Sequence, residues 1–296
     1  TISFNDKIVW ARTPSNYLKH LEYNKLIFGV GKSGIDFGSK LNEQYKLPSE
    51  PKPAQIGVRF EAPQKHFQKL IDVAYDFKLY QKKDNVSIRT FCTNNNAAYV
   101  AVEETYGDIS YNGHAKKGDE FQNDMTNFGI LMEIKGIEDP FEWSREIVGN
   151  LQAEELMSFE MEEGKSPKNF KEVNKNIGLY FSPERTVSKT SEGEYVSAFD
   201  LSYHGYQNHK KHFKGYFKYI ENFIEDLNTI FDFRDDWGIY LPEVKYLNPE
   251  PLVNYKDLSL TDYPNVHFTG DILSARGITV SGAQGIYVAE GILENQ

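Results

Sequence analysis

Asp271 follows a short apolar run, Val266-His267-Phe268, that stops at Thr269-Gly270, and a glycine-spaced stretch with Gly277, Gly282 and Gly285 comes next. The pattern reads as a strand, an acidic residue at its carboxyl end, and a helix start aimed at the same place. A helix N-terminus offers unpaired N–H groups and a partial positive charge. A carboxylate accepts hydrogen bonds from sugar hydroxyls. Together they suit a ligand with hydroxyls beside an anionic or electron-rich group. The plain structural alternative is a buried strand–turn–helix whose glycines serve close packing.

Other residues offer chemistry of their own. Cys92 is the single cysteine; it is either a redox-active or nucleophilic thiol or a small buried hydrophobe, and without a second cysteine there is no dithiol relay. His114 follows the turn-like pair Asn112-Gly113 and suits proton transfer near neutral pH, or else caps a loop. Arg89 and Arg59 suit a bidentate grip on a carboxylate or phosphate. The competing role is an ion pair, which for Arg59 points to Glu61 beside it. Asn127 and Asn112 either fix a polar substrate or do turn chemistry. His209 and His212 are spaced for one helix face, but no third metal ligand accompanies them. No nucleophile elbow with a Ser-His-Asp set and no His-Glu-x-x-His motif occurs.

Gly29, Gly31 and Gly34 formally fit Gly-x-Gly-x-x-Gly after Leu26-Ile27-Phe28. Another glycine, Gly38, spoils the helix that should follow, and no acidic residue sits convincingly at the end of a second strand. The four-residue spacer of a P-loop is absent as well.

The run Thr269-Gly270-Asp271, Arg276-Gly277-Ile278 and Gly282-Ala283-Gln284-Gly285 resembles the C-terminal FAD-binding signature of two-domain flavoprotein oxidoreductases. The resemblance implies that Asp271 contacts the ribityl chain or pyrophosphate. It implies that Gly277, Ile278, Gly282, Ala283 and Gln284 line the flavin. Gly29-Val30-Gly31 resembles the Ala-Thr-Gly turn at which such chains leave the FAD domain, with Gly29 in the alanine position. Gly57-Val58-Arg59-Phe60-Glu61, Arg89-Thr90-Phe91-Cys92, Asn112-Gly113-His114 and Thr126-Asn127-Phe128 resemble a family of bacterial FAD-dependent dehydrogenases. That resemblance spans nearly the whole chain from Leu26 onward. It is specific for family and almost silent on substrate. On this reading the first dinucleotide-binding βαβ unit lies upstream or on a complementary chain.

The surrounding elements must position these groups. The 296 residues carry a net charge of −10, with 40% hydrophobic and 26% charged residues. This fits a folded globular chain and disfavours nonspecific nucleic-acid or anionic-membrane binding. One cysteine excludes an intrachain disulfide. With neither a membrane-length apolar run nor a signal pattern, the expectation is cytoplasmic.

The expected fold is α/β with an inserted α+β domain: a partial Rossmann-like FAD domain from residues 1–50 and 229–296, and a substrate or cap domain over 54–228. The proline-rich crossing Pro48 to Pro53 marks the first boundary. In the first lobe, Ile2-Ser3-Phe4 and Lys7 to Trp10 read as a hairpin, Tyr17 to Leu21 as a short helical piece, Lys25 to Val30 as a buried strand and Ile35 to Tyr45 as a helix. In the insert, Gln55 to Glu61 alternates like a strand, and His66 to Ala74 has helical spacing. Val86 to Cys92 and Ala98 to Glu103 read as paired strands about a turn at Asn94-Asn95-Asn96. Asn127 to Ile134 is a strand; Pro140 to Phe159 and Lys210 to Phe231 are helices. Gly238 to Val244 then returns the chain to the first lobe.

The expected function is an FAD-dependent oxidoreductase, passing a hydride between flavin N5 and a small-molecule substrate held against the insert, with NAD(P)H or another electron donor as a further partner. The alternative is a flavin-free, partner-binding or scaffold module. Action on nucleic acid is disfavoured by the charge.

Overall fold

The computed structural model describes residues 1–31, 34–105, 107–115, 122–163, 180–181, 187–189, 195–197, 210–234, 236–247, 249–275 and 277–294. The architecture is mixed α/β. The chain forms two compact units, Thr1–Lys52 with Leu247–Gln296, and Pro53–Tyr246.

The first unit opens with an antiparallel sheet of β1 (Ile2–Ser3), β2 (Ile8–Arg12) and β3 (Leu18–Glu22). The expected helical piece at Tyr17 to Leu21 is strand β3 instead. The cause is the turn Thr13-Pro14-Ser15-Asn16. Asn16 takes the left-handed conformation (φ 65°), and Thr13 N donates to Tyr17 O at 2.9 Å, closing a hairpin. Strand β4 (Leu26–Phe28) follows, then helix α1 (Ile35–Tyr45). That helix stops where Lys46 turns left-handed (φ 50°) and Leu47 N donates back to Asn42 O, with Pro48 beyond. Strand β5 (Ser49–Glu50) ends this part.

The second unit starts with β6 (Ala54–Pro63), the short helix α2 (Gln68–Ile71), and β7 (Tyr80–Lys83). Next come β8 (Val86–Asn96), β9 (Ala98–Thr105), β10 (Asp108–Ala115) and β11 (Met125–Ile134). Helix α3 (Pro140–Glu163) precedes three short strands, β12 (Tyr180–Phe181), β13 (Val187–Lys189) and β14 (Tyr195–Ser197). Helix α4 (Phe217–Phe231) and β15 (Gly238–Lys245) complete the unit. Its main sheet is antiparallel throughout, in the order β12-β15-β6-β11-β8-β7.

Four expectations change here. Strand β8 runs on through Asn94 to Asn96, because those side chains find partners: Asn95 Nδ2 donates to Tyr75 O (2.9 Å) and Asn94 Nδ2 to Cys92 O (3.1 Å). Strand β9 pairs with β10, not with β8. Strand β15 pairs with β6 inside this unit and does not carry the chain back to the first lobe. Its Pro242 lacks an N–H and sits where the β15–β6 register shifts, between Tyr240 and Glu243. The expected helix from Lys210 to Phe231 is interrupted by Lys214 and Gly215, both at positive φ.

One face of the main sheet is an aromatic core. Phe60 stacks on Phe128 with centroids 4.9 Å apart, and Phe67, Phe77, Phe233 and Trp237 surround them. Helix α4 buries Phe217, Ile220, Phe223, Ile224 and Leu227, the i, i+3, i+4 stripe of an amphipathic helix. The opposite face is polar. It carries Arg59, Glu61, Asn127, Arg89 and Glu243, set there by the period-two alternation of β6, β11, β8 and β15.

The chain then completes the first unit. Strand β16 (Glu250–Pro251) pairs with β5, and β17 (Val266–Phe268) lies parallel to β4 with Phe268 opposite Phe28. A single turn of 3₁₀ helix spans Gly270–Leu273, and helix α5 (Ile278–Glu294) ends the chain. Phe4, Phe28, Leu41, Val266, Phe268 and Val288 form this unit's core.

Candidate functional site

The glycine–aspartate signature of the first unit folds into one local assembly. Strand β17 delivers Thr269, whose N–H donates to Phe28 O at 2.9 Å and extends the β4–β17 pairing by one bond. Gly270 adopts φ +79°, a conformation that favours glycine, so the chain can turn sharply at the strand's carboxyl end. A Cβ at Gly270 would also come within 3.9 Å of Ser281 on α5. Gly29, at the end of β4, lies beside this turn: a Cβ there would stand 3.6 Å from Thr269 Cγ2. Gly29, Gly270 and Asp271 are thus brought together at the carboxyl ends of two parallel strands. In open α/β sheets that is where ligands bind.

Helix α5 is braced to the same turn. Gln284 Oε1 accepts from Gly270 N at 2.7 Å, and Ser281 Oγ donates to Ala275 O at 2.9 Å. The side-chain carbonyl of Gln284 is thus committed to the turn. Asp271 is half-buried, and its carboxylate makes no hydrogen bond or ion pair among the described residues. Gly277 takes φ +108° just before α5, and Ile278, the first helical residue, is 95% exposed. Gly282 and Ala283 are exposed on the first two turns. Gly31 accepts from Gly34 N at 2.8 Å in a turn after β4.

The second unit carries Cys92 and Arg89 on β8 and His114 on β10. Cys92 is exposed and lies at φ 50° in a bulge of β8, opposite the register shift between Asn127 and Gly129. Arg89 is an exposed residue of β8 between Tyr80 and Leu131. His114 is not at a turn: it is a half-buried member of β10, paired with Tyr99 and stacked on its ring at 5.5 Å. Asn112 and Gly113, read as a turn, are mid-strand for the same reason.

Arg59 organises a buried polar cluster that local sequence context hid. It is fully buried and pairs not with Glu61 but with Glu243, whose Oε2 lies 3.5 Å from Nη1. Nε and Nη2 both donate to Asn127 Oδ1, at 2.9 and 2.6 Å, and Nη2 also donates to Cys92 O. Asn94 Nδ2 adds a bond to the same Asn127 oxygen at 3.2 Å. The β9–β10 hairpin lies over this cluster. Gly113 makes the approach possible, because a Cβ there would sit 1.7 Å from Arg59 Nη2. At the hairpin's turn, Asp108 accepts from Tyr246 Oη (2.7 Å) and from Arg145 Nε (2.9 Å). Burial and then the Asp108 bond raise the Tyr246 phenol far above its ordinary value, so it stays protonated. The same bond to Asp108 raises Arg145.

Among the described residues no group of three or more His, Cys, Asp and Glu could hold a metal, and no helix is long and apolar enough to cross a membrane. His204 and His209 lie outside the described residues. No protein-family model matches the chain, and no curated protein matches it.

Proposed function

We propose that the first unit is the C-terminal part of an FAD site and that the protein is an FAD-dependent oxidoreductase acting on a small molecule. The observation that carries this reading is the turn at Gly270-Asp271. It stands at the carboxyl ends of parallel strands β4 and β17, beside Gly29 and tied to α5 through Gln284. A carboxylate without a partner among the described residues and an exposed helix start suit a ribityl or pyrophosphate group. The residues present fit the dinucleotide: Asp271 would accept from a hydroxyl, Gly29, Gly31 and Gly270 leave room for close backbone approach, and the N–H groups of Gly277 and Ile278 face an electron-rich edge. When bound, FAD would supply hydride transfer. The chain's own part is to orient the nucleotide and stabilise its negative charge.

Strand β4 forms ladder bonds only with β17 among the described residues. Parallel sheets are normally wider and covered on both faces. A phosphate-binding strand–helix unit, in the same polypeptide or a complementary one, would extend β4 and complete the dinucleotide site. A Rossmann-like sheet belongs to this proposal.

The rival reading, a flavin-free partner-binding module, draws on α5. Ile278, Val280, Ile286, Tyr287 and Leu293 are exposed along it, more apolar surface than a free helix normally shows. Flavin content separates the two. The full-length protein should retain FAD through gel filtration, and Asp271→Ala should weaken it about 10-fold or more, the loss of one charge-assisted hydrogen bond. A protein that takes up no flavin supports the module.

A further inference from the structure

We propose that the outer face of helix α5 is the contact surface of a homodimer, in which two copies of the helix pair antiparallel about a two-fold axis. Helix α5 is apolar on two sides. Its inner side buries Val288 and Gly291 and packs Ile292 against the core of the first unit. Its outer side carries Ile278, Gly282, Gly285, Ile286, Ala289 and Leu293, which fall within an arc of about 100° at the helical period. All six are exposed, Ile278 at 95%, Ile286 at 63% and Leu293 at 69%. No charged residue occurs from Gly277 to Ala289. A helix whose outer side meets water carries charged or polar residues there; α5 carries a second seam instead. A Cβ at Gly282 or Gly285 would meet nothing within 4 Å, so no packing inside the chain calls for either glycine. Glycine within a helix costs stability relative to alanine, and close approach of another backbone offsets that cost.

Shape, charge and size select a second copy as the occupant. The seam is self-complementary. With the axis between Gly285 and Ile286, the antiparallel pair sets Ile278 opposite Leu293, Gly282 opposite Ala289, and the Ile286 side chain over Gly285. Each contact is made twice, as an isologous interface requires. The ends are complementary too. Helix α5 has no acidic residue in its first turn and no basic residue in its last, where Glu290 and Glu294 stand exposed. Acids at a helix's own C-terminal end oppose its dipole, and an antiparallel copy brings an electropositive first turn beside them. The seam of this 17-residue helix offers on the order of 500 Å² from each copy, at the low end of specific interfaces, and the net charge of −10 on each copy adds repulsion. The dimer is therefore reversible, with a dissociation constant on the order of 10 μM. The first N–H groups of α5 point along its axis and not into the seam. The proposal names a partner that the flavin-free reading leaves open, and it rests on neither reading of the first unit.

The test is sedimentation velocity of the full-length protein at fixed flavin content, from about 1 to about 200 μM, with hydrogen exchange of residues 278–294 at both ends of that range. The wild type should pass reversibly from monomer to dimer, and exchange in 278–294 should slow as the dimer forms. Ile286→Glu and Ile286→Lys each set like charges side by side at the axis, and each should remain monomeric. Mixed in equal amounts the two should dimerise again, because opposite charges then meet across the axis. Ile286 is exposed, so neither substitution disturbs the core. A wild type that stays monomeric overturns the proposal, and protection of 278–294 that ignores concentration would then place another part of the full-length chain on α5. A dimer that survives either substitution overturns it as well, and so does a mixture that stays monomeric. Should a variant fail to fold, the wild-type exchange decides: concentration-dependent slowing in 278–294 supports the seam, and slowing confined to other segments refutes it. None of these readouts is flavin content, so failure here leaves the nucleotide site standing.

Discussion

Gly57, Gly113 and Gly129 each sit where a methyl group has no room, for three different reasons. At Gly57 the obstacle is backbone, Ile130 O at 1.9 Å; at Gly113 it is the pinned Arg59 head at 1.7 Å; at Gly129 it is the Phe91 ring at 2.1 Å with Glu243 behind it. Backbone cannot step aside, whereas a side-chain end can at a cost. Gly57→Ala should therefore lose about 3 kcal/mol and Gly113→Ala about 1–3 kcal/mol in chemical denaturation. Gly29→Ala, with its nearest neighbour at ordinary contact distance, should stay within about 0.5 kcal/mol. Equal losses in all three would show that packing at these positions is not as described. Removing Arg59 is a different matter, because a buried charge loses its counter-ion. Arg59→Leu should cost about 3–5 kcal/mol. At this scale the strand, turn and helix around Gly270 and Asp271 were legible, because that pattern is local. It was not legible for Arg59, because the neighbour in sequence, Glu61, is not the neighbour in space. Only the pairing of β6 with β15 brings Glu243 across.

Elements with a clear period, such as β6, β11 and α3, were readable from hydrophobic spacing, and the end of α1 from Pro48, although Gly38 within α1 counted against that helix. The misreadings fall where side chains substitute for backbone partners. Asn94 to Asn96 looks like a turn by composition, yet Thr126, Tyr75 and Cys92 satisfy those amides inside a strand. Asn112-Gly113 looks like a hairpin turn, but the actual turn is at Gly107, with φ +82°. The cluster of Asp108 on β10, Arg145 on α3 and Tyr246 just after β15 gives an element-scale prediction. Tyr246 is held protonated in the fold, so its contribution is fully present below the ordinary phenol value of 10.0 and is lost as pH rises above it. Wild-type stability should therefore fall in alkaline solution from about pH 10, and Tyr246→Phe should flatten that limb while lowering stability by about 1–2 kcal/mol near neutral pH. A parallel decline in both proteins would remove Tyr246 as the cause.

On the scale of the molecule, the two units carry separate expectations. The first offers a glycine–aspartate turn at the end of a two-stranded parallel sheet; the second offers a wide antiparallel sheet with an aromatic face and a polar one. If FAD binds the first unit, ligand linkage should stabilise it by about 2.7 kcal/mol at a hundred times the dissociation constant. Hydrogen exchange would register this in β4, β17 and α5. The composition of the chain indicated neither the sheet order nor which strands belong to which unit, since both depend on pairings between residues more than a hundred positions apart. The flavin content of the full-length protein and of its Asp271→Ala variant tests the central claim most directly. FAD retained by the former and lost from the latter is the predicted result. Flavin bound equally by both, or by neither, would contradict it.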